Sequence, residues 1–248
     1  MLAKSKTFKE LPLTVVIPTY NEKDNVRPLI ALLDETLQTI VWEVVFVDDD
    51  SPDGTADEVR QIARKRENVR VIHRVGRRGL SGACIEGILS SSAPFAAVMD
   101  GDLQHDERIL VSMLAALEKD SDVDLVVGSR NVSGGSVGSG LTKIRSLGSD
   151  VATILARRLL KITVKDPMSG FFMVRLESFR GVVEELQMQG FKILTDLLSA
   201  SRGGWKVIEI PFVFKERKFG ESKMDSAVTL EYFGLILARL SGGRLSIR

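Results

Sequence analysis

The chain has 248 residues, of which 44% are hydrophobic and 27% charged, and its formal net charge at pH 7 is +1. This length and composition predict a globular protein with one large α/β domain or two small ones, and the near-neutral charge gives no general sign of nucleic-acid binding. The single cysteine excludes an intramolecular disulfide, and the two histidines leave little room for a histidine cage, so a bound metal should have oxygen ligands.

Apolar strand-like runs alternate with helical patterns along the chain. The predicted strands are residues 14–18, 43–47, 69–72, 95–99, 125–127, 171–174 and 207–214. The predicted helices are a segment from about Asp24 to Leu37 and residues 55–66, 83–90, 106–118, 150–160 and 193–200. Residues 131–140 are rich in Gly and Ser and predict a flexible loop. This alternation predicts a mostly parallel sheet with helices on both faces.

Three of the predicted strands end in polar clusters. Their sequences are PTYNE at residues 18–22, DDDSPDGT at 48–55 and DGDLQH at 100–105. In open α/β sheets, ligands bind at the carboxyl ends of parallel strands. The three clusters therefore predict a binding site at one edge of the sheet.

The third cluster has the composition of a metal site. Asp100 and Asp102 follow a buried strand two residues apart, and side chains at that spacing in an extended segment point the same way. Two neighbouring carboxylates repel each other unless a cation lies between them, and Mg²⁺ takes one or two carboxylates together with substrate phosphates. Gln104 adds a neutral oxygen at the same spacing. The alternative is a solvated loop.

The first two clusters allow two interpretations. Asp49 can accept hydrogen bonds from a nucleobase or a ribose, or it can belong to a solvated turn that caps the next helix. Glu22 has a similar choice between the start of a helix and a ribose contact. Tyr20 can line a ligand pocket or simply pack.

Several basic residues are candidates for binding phosphate. Arg130 directly follows a predicted strand at the same edge of the sheet, and Arg217 and Lys223 flank a glycine after the last predicted strand. Arginine suits phosphate as a fork and lysine as a point charge. Arg145, after the Gly/Ser-rich loop, is a candidate for the phosphate of an acceptor. Solvent exposure is the alternative for all four.

Six motifs in order carry a resemblance to a known family. They are SPDGT at 51–55, GLSGACIEG at 79–87, DGDLQH at 100–105, GSR at 128–130, GFFMV at 170–174 and RKFGESK at 217–223. Together they resemble family 2 glycosyltransferases, and within them the dolichol-phosphate (polyprenol-phosphate) mannose synthases. The resemblance implies a single GT-A (Rossmann-like) α/β domain over residues 12–225, after a tail at 1–11 and before an amphipathic segment at 226–248.

The resemblance also implies roles for individual residues. It implies a guanosine pocket lined by Pro18, Tyr20, Glu22, Val47 and Asp49. It implies that Asp100, Asp102 and Gln104 hold Mg²⁺ or Mn²⁺ and that the backbone of Gly101 contacts the donor. It implies that Arg130, Lys192, Arg217 and Lys223 contact the donor phosphates or the reacting centre, with Asp102, Arg130 and Arg217 catalytic. The chain departs from the family in having Gly101 where alanine is frequent and Asp50 where glycine is frequent.

The implied reaction transfers mannose from GDP-mannose to a dolichyl or polyprenyl phosphate with inversion, releasing GDP. A phosphate acceptor suits the chain because a phosphomonoester is already ionised near neutral pH and needs cations instead of a base. Arg130 and Arg145 would bind this phosphate. If a sugar hydroxyl is the acceptor, Asp106 is a candidate base. The alternatives are a UDP-glucose-dependent polyprenyl-phosphate glucosyltransferase, another family 2 transferase, or a non-catalytic nucleotide-sugar-binding module.

A lipid acceptor implies a membrane surface, which we expect to be the cytoplasmic face. Residues 1–10 lack the apolar core of a signal peptide, and no run of about 20 apolar residues predicts a spanning helix. Residues 227–240 predict either an interfacial helix or a core helix, and the helix at 150–160 is a second candidate for the interface. A separate anchor subunit, or membrane helices in a longer form of the chain, would supply firmer attachment.

Overall fold

The computed structural model describes residues 11–137, 163–187 and 193–215. In its first part, strands and helices alternate as β1 Leu13–Thr19, α1 Lys23–Thr36, β2 Trp42–Asp48, α2 Thr55–Ala63, β3 Val69–His73, α3 Leu80–Leu89, β4 Phe95–Val98, α4 Ile109–Lys119 and β5 Val123–Ser129. The later elements are β6 Ser136–Val137, β7 Phe172–Arg175, α5 Leu176–Arg180, a 3₁₀ turn Val183–Glu185, α6 Ile193–Ala200, β8 Lys206–Pro211 and β9 Val213–Phe214.

The large sheet has seven strands in the order β3-β2-β1-β4-β7-β5-β8. Its neighbours pair in parallel except for β7, which runs antiparallel to both β4 and β5. The prediction of a mostly parallel sheet is therefore confirmed. Strands β1, β2 and β4 are buried along their whole length, as expected for a sheet that is covered on both faces.

Helices cover both faces of the sheet. On one face, apolar side chains of α1, α2 and α4 form one core cluster with β1 and β2, and on the other face α3, α5 and α6 form a second. Helix α3 lies very close to the sheet at Gly87, where an added Cβ would be 2.3 Å from Val16 Cγ1 and 2.9 Å from Val47 Cγ2. Only glycine fits at this point, so the last glycine of the GLSGACIEG motif sets the separation between helix and sheet.

Some predicted boundaries are wrong. The predicted helix at 106–118 begins only at Ile109, because the Asp106 carboxylate binds the backbone and side chain of Arg108 in a turn before it. The predicted strand at 207–214 is two strands, because Phe212 turns into the core and bonds through its backbone to Ser129 and Ser136. The predicted loop at 131–140 contains β6, which pairs with β9.

Several predictions concern residues outside the described part of the chain. These are the tail at 1–10, the helix at 150–160, the segment at 226–248, and the side chains of Arg145, Lys192, Arg217 and Lys223. Within the ranges that the structure describes, no helix has the length and apolar character needed to cross a membrane.

Candidate active site

The carboxyl ends of β1 and β2 lie side by side. Pro18 is opposite Val47 and Thr19 is opposite Asp48, and the N–H of Asp49 donates to the Thr19 carbonyl at 2.9 Å. Three of the five residues predicted to line a guanosine pocket, Pro18, Val47 and Asp49, are thus brought together by the sheet itself.

Asp48 has a structural role. It is fully buried and accepts hydrogen bonds from Thr19 Oγ1 at 3.2 Å and from the N–H and hydroxyl of Ser51 at 3.0 and 2.6 Å. Asp53 likewise accepts bonds from the N–H groups of Lys23 and Thr55 near the starts of α1 and α2. Turn formation therefore accounts for these two acids of the second cluster.

Asp49 is held in one orientation by two partners. Its carboxylate forms an ion pair with Arg74 and accepts the N–H of Gly79 at 2.7 Å. Both Asp49 and Arg74 are buried, at 7% and 4% exposure. Burial raises the pKa of Asp49 above its usual value, against the opposing effects of Gly79 and Arg74. The result is a fixed carboxylate at the edge of the sheet.

Asp50 explains one departure from the family pattern. Its φ is +59°, in the left-handed region that glycine occupies most easily and aspartate tolerates. Its carboxylate accepts bonds from His73 Nε2 at 2.8 Å and from the N–H of Gly76 at 3.1 Å, and these bonds hold its pKa below the usual value. The aspartate thus keeps the glycine-like backbone and adds a tie to the loop after β3.

Tyr20 and Glu22 follow β1 at the same edge. The guanidinium of Arg78, from the loop after β3, lies over the Tyr20 ring at 4.4 Å from its centroid. The Glu22 carboxylate accepts the Asn25 side-chain amide at 2.6 Å, and its N–H donates to Thr55 Oγ1 at 3.0 Å. Glu22 therefore stabilises the start of α1, and its Cγ lies near Gly101 of the predicted metal motif, residues 100–104.

The metal motif lies in a turn instead of an extended segment. Strand β4 ends at Val98, and Leu103 has a φ of +63°. The expectation that Asp100 and Asp102 lie in an extended segment is therefore wrong, because Gly101 and Asp102 form a turn. The turn does lie against β1, because a Cβ on Gly101 would be 3.3 Å from Ile17 Cγ2, 3.4 Å from Thr19 Cγ2 and 3.7 Å from Glu22 Cγ.

Gln104 is fixed by the residue that follows β9. Its side-chain Nε2 donates to the Lys215 carbonyl at 3.0 Å, and its own carbonyl accepts the Lys215 N–H at 2.8 Å. The Lys215 ammonium contacts Glu107 at 3.0 Å and Asp106 at 3.7 Å. These two bonds fix the side chain and backbone of Gln104 against the residue that follows β9.

Asp100 lies next to a glycine and a histidine. Its side chain is 38% exposed, its N–H donates to His105 Nδ1 at 3.1 Å, and His105 Nε2 is 3.6 Å from its carboxylate. A Cβ on Gly170 would be 3.0 Å from Asp100 Oδ2 and 3.2 Å from Oδ1. The missing side chain of Gly170 therefore makes the space in which this carboxylate lies.

His105 belongs to an aromatic cluster. It stacks on Phe171 at 5.0 Å and meets Phe212 and Phe214 edge-on at 5.6 and 5.7 Å. Burial lowers its pKa to about 4, so the imidazole is neutral, and the Asp100 N–H that it accepts at Nδ1 places its own proton on Nε2. These contacts give the imidazole a packing role beside Asp100.

Arg130 follows β5 on the other side of β7. Asp166 accepts bonds from its backbone N–H at 3.0 Å, from Nε at 2.8 Å and from Nη2 at 2.9 Å. Burial opposes the charge of Arg130, but the hydrogen bonds and charge of Asp166 and the charge of Asp100 raise its pKa overall. Arg130 therefore remains positively charged, and the charge of Asp100 favours this charged form.

Sequence reasoning missed three residues that shape this site: Arg74, Asp166 and Lys215. Arg74 directly follows β3, so its place at the carboxyl edge was a usable signal. Asp166 and Lys215 are distant in sequence from their partners, and only the tertiary fold brings them together.

The side-chain oxygen atoms of Asp100, Asp102 and Gln104 are of the type that binds a hard divalent cation. Among residues 11–137, 163–187 and 193–215, no group of three or more His, Cys, Asp or Glu side chains forms a metal cage. Two carboxylates and an amide oxygen beside the cradle at Gly170 instead fit Mg²⁺ or Mn²⁺ that shares its coordination with substrate phosphates.

Comparison with known proteins places this geometry in a family. The sequence profile of Glycosyl transferase family 2 matches residues 14–183, from β1 to the 3₁₀ turn. The chain belongs to glycosyl transferase family 2. The expected resemblance is confirmed, since this family 2 chain is 41% identical over 224 residues to a dolichol-phosphate mannosyltransferase of Pyrococcus furiosus. That match covers 90% of this chain and 62% of the Pyrococcus protein, so the chain spans less than two thirds of its relative.

Other relatives extend this result. The chain is 33% identical to a dolichol-phosphate mannosyltransferase of Saccharomyces cerevisiae, over 88% of this chain and 83% of that protein. It is 31% identical to an undecaprenyl-phosphate mannosyltransferase of Micrococcus luteus, over 87% and 88% respectively. Glucosyl-3-phosphoglycerate synthase of Mycobacterium tuberculosis, solved with Mn²⁺, UDP and phosphoglyceric acid, superposes with a TM-score of 0.70 at 18% identity, over 93% of this chain and 78% of that one. This likeness confirms the GT-A fold of the family 2 chain.

Proposed function

We propose that this chain transfers mannose from GDP-mannose to a dolichyl or other polyprenyl phosphate with inversion, giving polyprenyl-phosphate-mannose and GDP. The observation that carries the proposal is the convergence at one sheet edge of the DGDLQ turn, the residues that follow β1 and β2, and Arg130. The names of the relatives, two dolichol-phosphate mannosyltransferases and an undecaprenyl-phosphate mannosyltransferase, support the sugar and the acceptor.

The nucleoside of the donor would bind where β1 and β2 end. Pro18, Val47 and Asp49 are neighbours there, and Tyr20 and Glu22 follow on the adjoining turn. A carboxylate such as Asp49 can accept bonds from the N–H groups of guanine or from a ribose hydroxyl. Because Arg74 and Gly79 already fix this carboxylate, it need not reorganise when the donor binds.

The diphosphate of the donor would lie at the DGDLQ turn. Asp100, Asp102 and Gln104 would hold Mg²⁺ or Mn²⁺ there, with the backbone of Gly101 against the donor. The bound ion would supply positive charge that stabilises the diphosphate leaving group. The Lys215 carbonyl holds Gln104 in place, and the missing side chain of Gly170 leaves room for the Asp100 carboxylate.

The acceptor phosphate would be bound by cations and would need no general base. Arg130 supplies one such cation at the described edge of the site. Asp106 is poorly suited as a base, because the Arg108 side chain binds it at 2.7 Å and lowers its pKa. Arg145, Lys192, Arg217 and Lys223 complete the proposed set of phosphate-binding residues.

We place this reaction at the cytoplasmic face of a membrane, because the proposed acceptor is a lipid. Residues 12–225 would form the transferase domain. The amphipathic segment at 226–248 would lie at the membrane interface, alone or together with a separate anchor subunit.

The test is a comparison of donors with purified protein and a short-chain polyprenyl phosphate in detergent, with Mn²⁺ present. We expect transfer from GDP-mannose, little from UDP-glucose, and at least a 100-fold loss of kcat in Asp102→Asn. The matched control is Asp124→Asn, which changes a carboxylate of β5 that binds Ser178 and Lys206 away from the proposed site.

Three results would count against the proposal in different ways. Transfer from UDP-glucose and not from GDP-mannose would show that the proposed sugar donor is wrong. A fully active Asp102→Asn variant would remove the metal motif from the mechanism. Metal-dependent GDP binding without transfer to any acceptor would indicate a nucleotide-sugar-binding module.

A further inference from the structure

Asp166 is buried, and among the described residues its carboxylate bonds to Arg130 alone. The residue is 1% exposed, and its carboxylate accepts three hydrogen bonds from Arg130. The two bonds from Nε and Nη2 form a bidentate pair, which fixes the plane of the guanidinium as well as its position. The backbone bond from the Arg130 N–H also ties Asp166 to the end of β5.

The segment that carries Asp166 is itself held by its neighbours. Glu209 of β8 accepts the N–H groups of Lys165 and Asp166 at 3.0 and 3.2 Å. The Asn131 side chain donates to the Lys165 carbonyl at 3.2 Å, and Ser169 Oγ donates to the Gly128 carbonyl at 2.7 Å. The carboxylate therefore projects from a segment anchored to both β5 and β8.

The bidentate pair leaves only part of the guanidinium of Arg130 for other contacts. Phe214 lies under the guanidinium at 5.6 Å, and Asp166 occupies the edge formed by Nε and Nη2. Within the described ranges, no hydrogen bond engages Nη1. Phe214 also meets His105 edge-on, and His105 accepts the Asp100 N–H, so Arg130 and the DGDLQ turn contact the same aromatic cluster.

We propose that Asp166 is a positioning residue, which holds Arg130 so that Nη1 faces the phosphates of the reactants. This role rests on the proposed transferase function and adds a residue to it. Because a buried ion pair contributes little net stability, a contribution to folding stability alone does not explain the pair between Arg130 and Asp166. Placement of a phosphate-binding cation, in contrast, is sensitive to displacements of about 1 Å.

The test is a double-mutant cycle on transfer activity with Arg130→Gln, Asp166→Asn and the combined variant. We expect Asp166→Asn to lower kcat/KM on the order of 10-fold to 100-fold, because the loosened guanidinium no longer has a fixed position. If Asp166 acts through Arg130, the combined variant should be no more than about threefold worse than Arg130→Gln alone. Asp124→Asn again serves as the control for loss of a carboxylate.

The outcomes separate the two proposals. Losses that multiply in the combined variant, or an Asp166→Asn enzyme with wild-type kcat/KM, would overturn the positioning role and leave the transferase function intact. A wild-type protein without transfer activity would overturn both. If Asp166→Asn does not fold, Glu209→Gln replaces it in the cycle. We expect Glu209→Gln to lower kcat/KM by a smaller factor in the wild type and to cause no further loss when combined with Arg130→Gln. Losses that multiply in this combined variant would equally refute the positioning role.

Discussion

The substitution Gly170→Ala should weaken cation binding at the proposed metal site without unfolding the protein. An added Cβ would lie 3.0 Å from Asp100 Oδ2 and 3.2 Å from Oδ1, so the carboxylate would have to recede by a few tenths of an ångström. The Asp100 side chain is 38% exposed and can make that movement toward solvent. Ligand distances in metal sites tolerate only about 0.2 Å, so the displacement should be felt by a bound cation.

The expected loss follows from the role of Asp100 as a proposed ligand. Disturbing the groups that orient a ligand typically costs 10-fold to 100-fold in metal affinity, and we expect a loss on the order of 10-fold for Mn²⁺ in the presence of GDP. Gly170 has no left-handed φ that would strain an alanine. We therefore expect the free energy of unfolding to change by less than about 1 kcal/mol.

The measurement is calorimetric titration of Mn²⁺ into protein saturated with GDP, alongside a urea unfolding curve for each variant. Gly181→Ala, in the exposed turn after α5, is the control for the added methyl group. An unchanged Mn²⁺ affinity in Gly170→Ala would refute the reasoning, since the carboxylate would then tolerate the displacement or lie outside the cation's coordination sphere.

Two further predictions concern stability. Arg74→Met should lower the free energy of unfolding by roughly 3–5 kcal/mol, because it leaves the buried Asp49 carboxylate without its cation. The control Arg77→Met removes an exposed pair with Glu86 and should lower it by less than about 1 kcal/mol. Equal losses for the two variants in urea unfolding curves would contradict this prediction. The pKa of His105 is about 4 in the folded metal-free protein and 6.5 when unfolded, so the free energy of unfolding should fall by up to roughly 3 kcal/mol as pH drops from 6.5 to 4. In His105→Gln, the plot of unfolding free energy against pH should be flatter over this range. Parallel plots for the wild type and the variant would exclude His105 as the cause.

Much of the architecture could be predicted because its signals are local. Alternating apolar runs and helical periodicity indicated β1 to β5 and α1 to α4, and the rule for parallel sheets placed the acidic clusters at one edge. The direction of β7 could not be predicted from its three apolar residues, since periodicity does not distinguish parallel from antiparallel pairing.

The details of the site depended on contacts between distant residues. The pattern DGDLQ indicated the metal motif, but the left-handed Leu103 shows that a turn, and not strand alternation, sets its shape. The tie between Gln104 and Lys215 spans 111 residues, and that between Arg130 and Asp166 spans 36. No local pattern predicts such pairs, because each depends on the order of strands in the sheet.

The place of β7 in the sheet has a consequence for folding. Strands β1 to β4 form a contiguous half-sheet that ends at Val98, whereas β5 pairs with β7 and β8, and β7 is made more than 40 residues after β5. During synthesis, the half-sheet of β1 to β4 can therefore assemble before the strand that links it to β5 has emerged. The proposed metal ligand Asp100 and the proposed phosphate-binding residue Arg130 follow strands on opposite sides of β7, so the proposed active site is complete only after β7 has joined the two halves.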